Sequence, residues 1–167
     1  WLICTFRPER TPFVNLSNSF AQNLNLDPKK TQKELRFGFS ALIDLYKATP
    51  YYIDEQSPEF LQADEKTKKQ LLRKGANLLI LADQFEEFFT NPENFNNGKA
   101  SVEAQTAVNL LTETAQISFN NKLPVYVACT MRSDFIGQCA AFSGLPEFIG
   151  FSHFASLAYR SILLNHR

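Results

Sequence analysis

The segment Asn77–Thr90, NLLILADQFEEFFT, constrains the fold more than any other part of this chain. Its first part, Leu78–Ala82, is a continuous apolar run that begins shortly after Gly75 and ends at Asp83. A short apolar run with these boundaries predicts a buried strand of a parallel sheet. Carboxylates that directly follow such a strand lie at the edge where open α/β sheets bind ligands. The segment therefore predicts an α/β fold with a ligand crevice beside Asp83.

The residues after this strand have the order of a Walker B element, in which a strand delivers one carboxylate to a nucleotide-bound Mg²⁺. Asp83 has the position for that role, which such aspartates usually fill through a coordinated water. Glu86 and Glu87 follow on the turn that leaves the strand, and one of them could orient or deprotonate an attacking water. The alternative that needs no ligand is a capping box, in which Asp83 caps the next helix and Glu86 completes the box. The cap and the metal role can coexist.

A second polar group follows the apolar segment Pro124–Thr130, which predicts another buried strand. Arg132 comes directly after this strand, so a parallel sheet would bring it to the same edge as Asp83. There it could contact a γ-phosphate and act as a sensor of that group. The alternative is an ion pair of Arg132 with Asp134 or Glu86, without any ligand.

The rest of the chain alternates between strand and helix patterns. Arg7 ends the first predicted strand and could face the same crevice or form a structural ion pair. This alternation is typical of a parallel sheet with helical crossovers. The predicted elements are a strand at Trp1–Phe6, a helix that starts at Thr11-Pro12, a helix from about Thr31 to Ala48, a helix from Ser57-Pro58 to near Gly75, a loop at Asn91–Lys99, a helix at Ser101–Asn120 and a short helix at Ser133–Ala141.

The composition excludes several classes of protein. Lys plus Arg and Asp plus Glu number 17 each, so no net field attracts nucleic acid or an anionic membrane. The three cysteines, Cys4, Cys129 and Cys139, lack CxxC spacing and are expected to be reduced, buried thiols. No apolar run approaches the roughly 20 residues that span a membrane, and there is no signal peptide. We therefore expect a cytoplasmic protein without a membrane span or direct contact with nucleic acid.

Motifs for other chemistries are lacking. The two histidines, His153 and His166, lie far from the acidic residues in sequence, and neither GxSxG nor HExxH occurs. Gly98-Lys99 looks like the end of a phosphate-binding loop, but Glu93 stands where the first glycine belongs and Ala100 follows the lysine. The loop that would match the DQFEE segment is thus not found in these 167 residues.

Three segments together resemble the novel STAND NTPases, which are bacterial P-loop signalling ATPases often fused to WD40 or other repeats. The likeness covers about residues 1–149, and the segments, which occur in the order of the family, are WLICTFRPERTPFVNLSNSF, LLILADQFEEFF and VACTMRSDFIGQCAAFSGLPEFI. The resemblance implies a partial P-loop NTPase fold of the ASCE type, with three parallel strands flanked by helices. Residues 150–167 do not look like the continuation of the family and are expected to form an atypical tail.

The resemblance also implies residue roles. Asp83 is the Walker B acid, Glu86 and Glu87 are the acidic pair that follows it, and Arg132 is the sensor after the fourth strand of the complete fold. ATP and Mg²⁺ are the implied cofactors, and self-association and the other domains of a longer parent protein are the implied partners. Because the family places a strand and a GxxxxGK[ST] loop before the segment that starts here at Trp1, we expect the parent to be an ATPase and this chain alone to be inactive.

Two other functions remain open on the sequence alone. One is a non-catalytic interaction or scaffold module with a degenerate nucleotide site. The other is a metal-dependent phosphohydrolase that uses Asp83, Glu86 and Glu87 with Asp134. The sequence also makes a physical prediction about self-association. Since the strand beside Pro124–Thr130 is expected to be missing, that strand should form an open, apolar edge that promotes self-association.

Overall fold

The computed structural model describes residues 1–146 and 149, together with the backbone of residues 153–155 and 160–163. The strands are β1 (Leu2–Phe6), β2 (Leu78–Ala82), β3 (Phe95–Asn96), β4 (Lys99–Ala100), β5 (Val125–Met131), β6 (His153–Ala155) and β7 (Arg160–Leu163). The helices are α1 (Pro12–Leu24), α2 (Pro28–Glu34), α3 (Ala41–Lys47), α4 (Pro58–Gln62), α5 (Glu65–Lys74), α6 (Glu87–Thr90), α7 (Val102–Asn121) and a 3₁₀ helix at Ser133–Ala141.

The main sheet has the strand order β1-β2-β5-β7-β6. β1, β2 and β5 are parallel, with Leu2 beside Leu78 and Leu78 beside Val125. Helices connect these strands, as parallel strands require. The α/β fold with three parallel strands, each predicted at the right place in the sequence, is thus confirmed.

The outer edge of β5 differs from the prediction. β7 pairs with β5 in the antiparallel direction, with Ala128 beside Leu163 and Met131 beside Arg160. The expected open edge at β5 is therefore wrong, because the main chain of β7 supplies hydrogen-bond partners along it. Self-association through that edge loses its physical basis.

The two faces of the parallel strands differ in burial. On one face the side chains pack against α1 and α7, which also contact each other. On the opposite face Ile3 is half exposed, and the ring of Trp1 lies 5.2 Å from that of Tyr126. The buried face is formed by Cys4, Phe6, Leu78, Ile80, Ala82, Val125, Val127 and Cys129.

The predicted helix from Thr31 to Ala48 is wrong in its extent, since the structure has two helices, α2 and α3, in this region. α2 begins earlier, at Pro28, because the carboxylate of Asp27 accepts a hydrogen bond from the Lys30 amide at 2.7 Å and caps the helix. Gly38, a poor helix former, lies in the break between the two helices.

The predicted helix from Ser57-Pro58 to Gly75 is likewise divided, into α4 and α5. Asp64 accepts a hydrogen bond from the Thr67 amide at 2.8 Å and so starts a new helix in the middle of the predicted one. A side chain that caps a helix competes with helix continuation, which is the reason for the break.

The segment Asn91–Lys99, predicted as a loop, contains the small hairpin of β3 and β4. Asn97 and Gly98 join the two strands and both have positive φ angles, 51° and 74°. Asn-Gly is the preferred pair for a tight hairpin turn of this kind. The hairpin packs beside α6 and brings Asn94 into the interior.

Candidate functional site

The carboxylate of Asp83 lies at the carboxyl end of β2, with about a third of the side chain exposed. Its Oδ1 accepts a hydrogen bond from the Thr130 hydroxyl at 2.6 Å. Its Oδ2 faces the Arg7 guanidinium, whose Nε is 3.4 Å away. The capping alternative is wrong, because α6 has Glu86 at its N-cap position and no side chain caps it.

Thr130 organises the turn that follows Asp83. Gln84 takes the left-handed backbone conformation, with φ 55°, and its amide donates to the Thr130 hydroxyl at 3.0 Å. The Phe85 amide donates to the Thr130 carbonyl at 2.8 Å. Thr130 had no role predicted from the sequence. The pairing of the two strands indicates this role, since Ala82 lies beside Cys129 and the residues that follow, Asp83 and Thr130, are therefore neighbours.

The two acids of the DQFEE segment have different surroundings. Oε2 of Glu87 accepts a hydrogen bond from the Glu9 amide at 2.8 Å. Oε2 of Glu86 is buried and has no hydrogen-bond partner among the described residues. Glu87 is thus held by the turn after β1, whereas the buried Oε2 of Glu86 is left without a partner among the described residues.

Arg132 follows β5 and pairs with Asp134. Its Nη2 and Nε donate to the two carboxylate oxygens at 2.8 and 3.3 Å, and the guanidinium lies 5.5 Å from the centre of the Phe135 ring. Both charged side chains are more than half exposed. The Arg132–Asp134 ion pair named as the ligand-free alternative is therefore present in the structure, and of the two arginines Arg7 is the one that contacts Asp83.

A cluster of aromatic side chains supports the acidic pair. The ring of Phe85 lies 4.7 Å from that of Phe88, and the ring of Phe142 lies 5.8 Å from Phe88 and 5.5 Å from Phe89. Because α6 is only one turn long, its stability depends on this packing more than on its own backbone hydrogen bonds. The cluster thereby fixes the position of Glu86 and Glu87.

The residues at this edge fit a magnesium ion that is bound mainly by a nucleotide. Within the described part of the chain, no group of three or more His, Cys, Asp or Glu side chains is arranged to hold a metal ion. The phosphohydrolase hypothesis therefore lacks the ligand set that it needs. Magnesium bound to phosphates takes only one or two carboxylates and otherwise waters, and Asp83 can supply one.

The family follows from a comparison of sequences. The sequence model of the family described as Novel STAND NTPase 1 matches residues 1–158, which is most of the chain. The chain belongs to this family. Comparison with curated proteins and with solved structures gives no match.

Membership confirms the resemblance noted in the sequence and makes the chain a STAND NTPase domain. Nucleotide binding, usually with Mg²⁺, is what this family implies, and the partial P-loop fold agrees with the three parallel strands. None of the described helices of this STAND NTPase is long and apolar enough to cross a membrane.

Proposed function

We propose that this chain is part of an ATP-binding and ATP-hydrolysing STAND signalling switch, to which it contributes the Walker B and sensor elements. One observation carries the proposal: Asp83 stands at the carboxyl end of a parallel strand and is oriented by Thr130 from the neighbouring strand. This is the edge of the sheet at which α/β folds bind ligands.

In the proposed function Asp83 holds Mg²⁺, which when bound neutralises charge on the phosphates and supplies an ordered coordination shell. The Thr130 hydroxyl keeps the Asp83 carboxylate in one orientation. Glu86 and Glu87 are the acids that orient or deprotonate the attacking water.

Arg132 is the proposed sensor of the γ-phosphate. Its present partner, Asp134, is more than half exposed, and exposed ion pairs contribute little free energy. A phosphate group can therefore replace Asp134 at small cost. Movement of Arg132 between these two partners would connect the nucleotide state to the segment after β5, and through it to self-association and to other domains of the parent protein.

A non-catalytic scaffold is the second candidate, and one feature favours it. Both oxygens of Asp83 already have partners, and Arg132 is already paired, so these two charged groups are electrostatically satisfied without a ligand. A domain that had lost nucleotide binding would have the same ion pairs.

Calorimetric titration of ATP, with and without Mg²⁺, distinguishes the two candidates. The titration uses the chain itself and the natural gene product that contains it. Asp83→Ala is compared with Asp54→Asn, a change at an exposed acid between α3 and α4 whose carboxylate accepts from the Gln56 amide. Magnesium-dependent binding that Asp83→Ala abolishes and Asp54→Asn retains would support the switch. ATP binding that is unchanged by removal of Mg²⁺ and by Asp83→Ala, or no binding of ATP to either protein, would favour the scaffold.

A further inference from the structure

Asn94 is a completely buried amide that joins two loops far apart in the sequence. Its Nδ2 donates to the Glu9 carbonyl, in the turn after β1, and to the Glu87 carbonyl at 3.2 Å, in α6. The main chain of Asn94 is also fixed, because its amide donates to Asn91 at 3.0 Å and its carbonyl accepts from Ser101 at 2.7 Å. Burying an amide is costly unless its polar atoms are paired. Here both Nδ2 protons have acceptors, whereas Oδ1 has no partner among the described residues.

The turn that Asn94 holds contacts two of the three acids of the site. Arg7, at the start of the turn, reaches Asp83, and the Glu9 amide donates to the Glu87 carboxylate. Glu9 has a φ of 45°, in the left-handed region that non-glycine residues seldom adopt. Such a conformation persists only where surrounding contacts impose it, and the bond from Asn94 to the Glu9 carbonyl is one of those contacts.

We propose that Asn94 is a positioning residue for Glu87. By holding the carbonyl of Glu9 it aims the Glu9 amide at the Glu87 carboxylate, and by holding the Glu87 carbonyl it fixes the backbone from which that carboxylate extends. The acid after β2 and the turn after β1 then keep one mutual geometry. The catalytic consequence of this arrangement rests on the proposed function, whereas the arrangement itself does not.

The test compares amide chemical shifts of the chain by NMR. A hydrogen bond to a carboxylate moves an amide proton downfield, so Glu87→Gln should move the Glu9 amide upfield. Asn94→Ala should move the Glu9 amide proton upfield in the same way. It should also lower the heteronuclear NOE of residues 7–10, because the turn is then held less firmly. Asn91→Ala is the matched control, since its side chain accepts from the Glu93 amide in the same loop and forms no hydrogen bond with Glu9. An unchanged Glu9 amide in Asn94→Ala would overturn the proposal.

The wild-type chain provides a second measurement that does not depend on the variant folding. The two Nδ2 protons of Asn94 should exchange slowly with solvent, in contrast to those of the exposed Asn23. Rapid exchange of the Asn94 protons would contradict the proposal.

Kinetics separate this proposal from the proposed function. In a protein that hydrolyses ATP, Asn94→Ala should lower kcat and leave KM for Mg-ATP unchanged, because Asp83 and not Glu87 is the proposed metal ligand. A change of KM with kcat unchanged would contradict the positioning of Glu87. If Mg-ATP fails to bind while the Glu9 shift responds as expected, the nucleotide proposal fails and the link through Asn94 is supported.

Discussion

The hydroxyl of Thr130, at the end of β5, donates a hydrogen bond to Oδ1 of Asp83, at the end of β2, over 2.6 Å. The same oxygen atom accepts from the Gln84 amide at 3.0 Å. A hydroxyl is one of few groups that can donate to a carboxylate and accept from an amide at once. Thr130 therefore couples the orientation of the proposed metal ligand to the turn that follows it.

Replacing Thr130 by valine should remove both hydrogen bonds while keeping the shape of the side chain. Because Asp83 is partly exposed and regains water, we expect the free energy of unfolding to fall by about 1 kcal/mol. Mg-ATP affinity should fall as well, since the carboxylate is no longer held. Urea denaturation and calorimetry measure the two effects. Thr130→Ser keeps the hydroxyl and is the control, and equal losses in both variants would show that the hydroxyl has no such role.

Arg132→Gln tests the proposed sensor. Loss of the exposed pair with Asp134 should change the free energy of unfolding by no more than about 0.5 kcal/mol. The ratio of ATP affinity to ADP affinity should fall, because the lost charge acts on the γ-phosphate. Arg36→Gln is the matched control, since Arg36 forms another exposed ion pair, with Glu103 at 2.9 Å. A ratio that stays the same in Arg132→Gln would rule out the sensor role.

The strands could be predicted from the sequence because each is a short apolar run that ends at a charged or turn residue. Leu78–Ala82 is such a run, and its parallel neighbours follow from the alternation with helices. The breaks within the predicted long helices were missed. The apolar period continues across Gly38, a poor helix former, and around Asp64 the segment is polar and gives no sign of a break until the carboxylate of Asp64 caps α5.

The site was predicted only in part. Asp83, Glu86, Glu87 and Arg132 could be assigned roles because charged residues after buried strands stand out in a sequence. The contacts of Asn94 could not be predicted, since its partner Glu9 lies 85 positions earlier and Asn94 itself lies in a polar segment without a periodic pattern. Pairing of β5 with β7 was also missed, because Arg160–Leu163 lies beyond the segments on which the resemblance to the family was based.

The aromatic cluster behind the acidic pair predicts a large effect of one core substitution. Phe142 is fully buried and contacts Phe88 and Phe89, so Phe142→Ala should lower the free energy of unfolding by about 3–5 kcal/mol. Phe37→Ala, at a ring that is 79% exposed, should have little effect. Chemical denaturation measures both. Similar losses for the two variants would mean that the cluster does not support α6.

The three cysteines give a prediction about pH. None forms a disulfide, and burial raises the pKa of the Cys4, Cys129 and Cys139 thiols to about 12, against an ordinary value of about 8.5. The thiolate is the reactive form, so a disulfide reagent such as DTNB should label the native chain slowly at pH 8 and label all three thiols in guanidinium.

The same shifts fix the sign of the effect on stability. The native state keeps protons on the thiols that the unfolded chain loses above about pH 8.5. The unfolded state therefore binds fewer protons, and the free energy of unfolding should decrease as the pH rises from there towards 12. Replacing Cys4 by alanine should weaken this dependence. Fast labelling of the folded chain at neutral pH, or a stability that rises through this range, would show that the thiols are not buried as described.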